Sequence, residues 1–362
     1  LRFQRADMFK DMAHMLSRKP RFQNLERLTL SIDKATGHSI DTNLFFELCM
    51  LPRLIRITVN GPIAPPDVRQ KPMTDREFID GAHPDSLVFA ASNLEEINCT
   101  GELLHEDVLR FMLPRTPKLV KLSIPSMYID NEAVSLSDSW KKKYTFPPST
   151  IFSPARLGKL LKPVRGTLQY LKIRDFDRQT KHPDNTKLDL SRFKSLHTLE
   201  IAESYLFDTT DDSIGHATNV HQLLPRNIQS LRITLVRTRG LFYRWPSMLA
   251  NYKEGSELWT TYWQTMSSGL EENTFGNLPC IFEIVDRKDN VFPNLKRLDL
   301  HELRPSDRRS VAISVGALEP DQPFRKYLDD KGVSITIWLR IPAAWGTPLP
   351  KVYDASPLFD LY

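Results

Sequence analysis

One short apolar pattern returns eight times along this chain: a polar residue followed by apolar residues at relative positions 1, 4 and 6. The instances are Leu25/Leu28/Leu30, Leu54/Ile57/Val59, Leu94/Ile97/Cys99, Leu119/Leu122/Ile124, Leu168/Leu171/Ile173, Leu196/Leu199/Ile201, Ile228/Leu231/Ile233 and Leu295/Leu298/Leu300. In a chain this rich in Leu, Ile and Val, about four such triplets arise by chance. The flanks therefore matter: FQNLERLTL, FKSLHTLEI and FPNLKRLDL also share a Phe three residues before the first Leu. Positions 4 and 6 fall on one face of a strand, and position 1 enters the same core just before the strand begins. The residues between them face outward.

The first positions of successive copies are 29, 40, 25, 49, 28, 32 and 67 residues apart. The shorter gaps match the length of a leucine-rich repeat, and the longer ones call for insertions. Helix signals lie between copies. Asp41 can cap a helix carrying Leu44, Phe45, Leu48 and Cys49, and Leu104, Val108, Leu109 and Met112 have helical spacing over residues 102–113. Ser153 followed by Pro154 reads as an N-cap and first turn. His216 to Leu224 is a weaker helix, and Pro323 to Asp330 a further one, closed by Gly332 before a terminal strand, VSITI. Helix alternating with strand gives an α/β fold with a parallel sheet and right-handed crossovers. The expectation is an irregular leucine-rich-repeat solenoid, a horseshoe with its sheet on the concave face and helices outside. It runs over residues 1–340, with insertions near 61–90, 125–152 and 236–290, and a Pro-rich tail over 341–362.

Outward strand residues would then line the concave face: Arg27, Thr29, Arg56, Thr58, Asn60, Glu96, Asn98, Lys121, Tyr170, Lys172, Arg174, Glu200, Arg232, Arg297, Asp299 and His301. Seven basic side chains outnumber three acidic ones in this set, a bias that suits a protein partner with an acidic or phosphorylated segment, because guanidinium pairs with such oxygens in bidentate fashion. The whole chain carries only +5, from 49 basic and 44 acidic side chains, which leans toward acidic partners without requiring nucleic acid.

Trp245, Trp259 and Trp263 crowd into the longest gap beside several tyrosines. They read either as an interface anchor or, given the helical spacing near Trp259, as a satellite core. Lys141–Lys143 read as a solvated loop, and the Asn98-Cys99-Thr100 sequon as an unused strand segment. The three cysteines are far apart and point to buried free thiols in a reducing compartment. No signal-peptide core and no apolar run of about 18 residues appears, so a cytoplasmic or nuclear location away from membranes is expected. A chain opening at Leu1 rather than Met reads as a piece of something longer. The sequence contains no Gly-rich phosphate loop, no HExxH, no paired Cys-x-x-Cys and no nucleophile elbow; neither catalytic residues, metal nor cofactor are expected.

The FPNLKRLDL type of motif, the irregular spacing and the ending FRKYLDDKGVSITIWL resemble the leucine-rich-repeat regions of fungal F-box proteins over roughly residues 20–340. The resemblance implies a protein–protein interaction module that selects substrates for a ubiquitin ligase. A separate F-box would engage the Skp-type adaptor. No F-box pattern occurs in Leu1–Pro20, so adaptor binding is assigned to no residue of this chain. The Asn that follows the strand in regular repeats is also missing from most copies, Asn60 being the nearest approximation. The alternatives are a leucine-rich-repeat scaffold with no ligase role, or a receptor for a small molecule or nucleic acid.

Overall fold

The computed structural model describes residues 24–31, 40, 42–61, 63, 92–100, 104, 106–125, 153–174, 186–207, 219–235, 279–302, 309–314 and 323–341. The chain divides into two compact units, residues 1–176 and 177–362.

In the first unit the strands are β1 (Arg27–Ser31), β2 (Arg56–Asn60), β3 (Glu96–Cys99), β4 (Lys121–Pro125) and β5 (Tyr170–Arg174). They lie side by side in chain order, all parallel, with motif position 4 in register throughout: Leu28, Ile57, Ile97, Leu122 and Leu171. Positions 4 and 6 of every copy in this unit are at most 3% exposed. Parallel strands cannot be joined by tight hairpins and need longer crossovers. Helices α1 (Thr42–Cys49), α2 (Glu106–Met112) and α3 (Pro154–Leu161) lie in the connections from β1 to β2, β3 to β4 and β4 to β5.

Each helix buries a stripe at helical spacing. Phe45, Leu48 and Cys49 are buried on α1, Val108, Leu109 and Met112 on α2, and Leu157 and Leu161 on α3. Phe46 and Phe111 meet edge to face, centroids 6.1 Å apart. The cap at Ser153 forms as expected: its Oγ accepts from the Arg156 N–H at 3.2 Å, and Pro154 fills the first turn, where a missing N–H costs nothing. Asp41, the expected cap of α1, lies outside the described residues.

One backbone device recurs with the motif. The carbonyl at position 2 accepts two N–H groups from the next copy, at positions 2 and 3. Glu26 O takes Ile55 N and Arg56 N at 2.8 and 3.0 Å, Glu95 O takes Val120 N and Lys121 N at 2.8 and 2.9 Å, and Val120 O takes Gln169 N and Tyr170 N at 2.8 and 3.0 Å. A turn precedes position 1, closed by Leu54 N to Leu51 O and Leu119 N to Thr116 O, both 3.1 Å. The polar residue before position 1 also has work to do. Asn93 Nδ2 donates to Pro52 O at 2.8 Å, and Lys118 Nζ donates to Asn93 Oδ1 at 2.8 Å, tying consecutive copies at the strand entrance.

The second unit repeats these features. Strands β6 (Thr198–Ala202), β7 (Ser230–Leu235) and β8 (Arg297–Glu302) are parallel, with Leu199, Leu231 and Leu298 in register. His197 O and Gln229 O each take two N–H groups from the following copy, and Asn227 Nδ2 reaches back to Lys194 O at 2.6 Å. Residues 186–190 add a segment the motif does not mark. Leu188 and Leu190 are buried, and their N–H groups bond Tyr205 O and Leu223 O at 2.8 Å.

Helices α4 (Pro279–Asp286) and α5 (Lys288–Val291) lead into β8; α4 and the first residues of α5 fall in the stretch read as an insertion. The weaker helix read over His216–Leu224 is described only as a 3-10 turn, Val220–Gln222, entered through Asn219 at φ 67°. After β8 come β9 (Arg309–Ser314), α6 (Pro323–Lys331) and β10 (Ser334–Ile341). Gly332 at φ +59° ends α6, with Val333 N bonded to Leu328 O at 3.1 Å and Gly332 N to Asp329 O at 2.9 Å, the paired bonds of a left-handed helix stop. Strand β10 pairs in parallel with β8 on one side and antiparallel with β9 on the other. The expected parallel sheet forms among the motif strands, while β9, which no motif copy marks, runs against its neighbour β10. Residues 303–308 are too few for the dozen or so that a parallel crossover needs, so the chain reverses direction after β8.

Candidate functional site

Alternation along each strand sends motif positions 3 and 5 to the side away from the apolar stripe. In the first unit the registers assemble two cross-strand rows: Arg27, Arg56, Glu96, Lys121 and Tyr170, then Thr29, Thr58, Asn98, Ser123 and Lys172. Arg27, Thr29 and Lys121 are exposed, while Arg56, Thr58, Glu96, Tyr170 and Lys172 are half-buried. Arg56 Nε and Glu96 Oε2 are 2.6 Å apart, and Lys121 Nζ stands 6.0 Å from the Tyr170 ring centroid. The Arg174 backbone pairs with Pro125.

At the strand exits a short polar chain runs from copy to copy. Thr100 Oγ1 donates to Asn60 Oδ1 at 2.8 Å, and Asn60 Nδ2 donates to Ser31 Oγ at 3.1 Å. Asn60 thus links three consecutive copies through its side chain, a bridge the sequence reading did not anticipate. Beside it, in the middle of the second row, Asn98 Oδ1 and Ser123 Oγ are enclosed and have no hydrogen-bond partner.

The second unit is electrostatically different. Glu200, Arg232 and Asp299 are register neighbours on β6, β7 and β8, and Arg297 precedes Asp299 on the same face. Arg232 Nη1 lies 3.2 Å from Glu200 Oε2, Arg232 Nη2 3.1 Å from Asp299 Oδ2, and Arg297 Nε 2.9 Å from Asp299 Oδ1. Asp299 is 1% exposed, so its charge is held almost entirely by the two guanidinium groups. The basic stripe read from the sequence is therefore not uniform: Arg232 and Arg297 are engaged with acids of their own sheet. His301, next along β8 on this face, is half-buried.

Other groups escape the sequence reading. Glu203 is 1% exposed on the turn after β6. His221 Nδ1 meets Glu283 Oε1, and the Asn219 N–H donates to Glu283 Oε2 at 3.2 Å, fastening the 3-10 turn to α4. No spacing signal could have found this pair, since 62 residues separate its members. Cys49 and Cys99 are buried free thiols, as expected. Burial pushes Cys99 up to about 12, and burial together with the neighbouring Cys99 raises Cys49 well above the ordinary thiol range. Both are held as inert thiols near neutral pH.

Trp245, Trp259 and Trp263, Lys141–Lys143 and residues 342–362 of the expected tail lie outside the described residues. Among the described residues, no group of three His, Cys, Asp or Glu side chains is placed to hold a metal ion. Nor, among them, is any helix long and apolar enough to cross a membrane. Comparisons with protein-family models, curated proteins and solved structures return no match.

Proposed function

We propose that the chain is a leucine-rich-repeat module that holds a protein partner on its outward strand faces, and that it serves as the substrate-selecting part of an F-box-type ubiquitin ligase subunit. The observation that carries the repeat reading is the recurrence of one local unit: motif position 4 in register from strand to strand, with the position-2 carbonyl taking two N–H groups from the next copy. Such an arrangement keeps a row of outward side chains about 4.8 Å apart on a rigid backbone, which favours recognition of an extended surface over catalysis at a point. The ligase assignment rests on the family resemblance of the motif and of the terminal helix and strand.

The test is purification of the natural full-length polypeptide from its own cells, with chemical cross-linking before lysis. Recovery of a Skp-type adaptor and a cullin, together with a protein cross-linked to β1–β5 or β6–β8, is the expected result. A stable complex without ligase components would return the chain to the role of scaffold. Cross-links confined to the helical side would remove the recognition reading altogether.

A further inference from the structure

Resting on that reading, we infer that the partner is an acidic extended segment and that the outward strand face of the first unit alone receives it. Two independent observations lead there. The first is charge. The described outward side chains of β1–β5 include Arg27, Arg56, Lys121 and Lys172 against the single carboxylate of Glu96. On β6–β8 the same positions carry Arg232 and Arg297 against Glu200 and Asp299, closed into one cluster. Among the described residues only the first face keeps a positive surplus, and two of its cations, Arg27 and Lys121, are exposed.

The second observation is a built polar floor. Ser123 is 6% exposed, and both its Oγ and Asn98 Oδ1 are enclosed without a hydrogen-bond partner, on neighbouring strands at paired positions. Leaving such groups unpaired is costly, and native proteins rarely do so without a reason. An amide oxygen beside a hydroxyl offers an acceptor next to a group that can donate or accept. A peptide unit of a bound chain, with one N–H and one carbonyl, satisfies both. Five strands about 4.8 Å apart span about 19 Å, the length of roughly six extended residues. Acidic side chains of such a segment would reach Arg27 on β1 and Lys121 on β4.

The experiment uses the full chain and fluorescence anisotropy with labelled octaglutamate, with octalysine and a 20-mer of thymidine as competitors for the assignment. Octaglutamate binds at low salt and is released as ionic strength rises. Lys121→Glu and Arg27→Glu each weaken it about tenfold, whereas Lys326→Glu, an exposed charge on α6, leaves it unchanged. Ser123→Ala supplies the readout a purely structural residue would not give: it weakens peptide binding while urea stability stays level or rises, because an unsatisfied buried hydroxyl has been removed. Binding that ignores Lys121→Glu, that falls equally with Lys326→Glu, or that is tighter for octalysine or the oligonucleotide overturns the inference. Retention of full affinity by Ser123→Ala also overturns it. A non-acidic partner cross-linked to β1–β5 would leave the recognition reading standing and sink this one. Salt-sensitive octaglutamate binding weakened by Lys121→Glu, with an acidic partner cross-linked to β1–β5 but no ligase component recovered, would sustain this inference and sink the ligase assignment.

Discussion

Leu122 offers the sharpest test of the repeat. It is 0% exposed on β4, in register between Ile97 and Leu171. Leu122→Ala removes three carbon groups from the core, worth about 0.8 kcal/mol each, or about 2.4 kcal/mol in transfer free energy. Strands on both sides keep the space from collapsing, and the residual cavity carries the cost into the range of about 2–5 kcal/mol. The neighbouring Lys121 points the other way, is exposed and touches only the Tyr170 ring among the described contacts, so Lys121→Ala should cost no more than about 1 kcal/mol. Urea unfolding followed by far-ultraviolet circular dichroism measures both. With a urea slope of about 1–3 kcal/mol per molar, Leu122→Ala lowers the midpoint by about 1 M or more, and Lys121→Ala moves it far less. Equal shifts for the two variants, or a loss below about 1 kcal/mol at Leu122, would refute the placement of motif position 4 in the core.

Two further outcomes follow from the electrostatics and the thiols. Asp299→Ala strips the buried carboxylate from Arg232 and Arg297; the loss is expected near 3 kcal/mol, the low end for a broken buried pair, because Arg232 still reaches Glu200 and both guanidiniums are partly exposed. Glu96→Ala, which breaks the more exposed pair with Arg56, costs less than about 1 kcal/mol in the same titration, and matching losses would contradict the cluster. Burial raises both thiols, so the folded chain holds their protons more tightly than the unfolded one. The stability this contributes is complete below the ordinary thiol value of 9.0 and falls as pH climbs from there toward about 12. Cys99→Val should flatten that alkaline decline, and iodoacetamide at pH 8 should leave Cys49 and Cys99 unmodified in the native chain; rapid labelling seen by peptide mass spectrometry would contradict their burial.

The α/β alternation, the eight strand starts and the split of each strand into an apolar and an outward side were legible because they are local. Two-residue alternation and three-to-four-residue helical spacing depend only on neighbours in the chain. Ser153-Pro154 opened its helix, and Gly332 closed the last one, for the same reason: a cap is decided by a few consecutive residues and their backbone angles. Where the motif was silent, as at Leu188 and Leu190, core residues went unmarked; their N–H groups are satisfied by carbonyls of Tyr205 and Leu223, which no short window contains.

What the sequence determined by itself, then, is which side of each strand is buried and how often the unit recurs. Only the tertiary structure decided which outward charges remain available. Arg56 and Arg232 stand at motif positions 3 and 5, on the same outward face of their strands, yet one sits by a lone glutamate and the other inside a cluster with Glu200 and Asp299. The partners in that cluster are 32 and 67 residues from Arg232, and register across parallel strands brings them within 3.2 Å. Charge neutralisation is a property of distance in space, and a count along the chain carries no such distance.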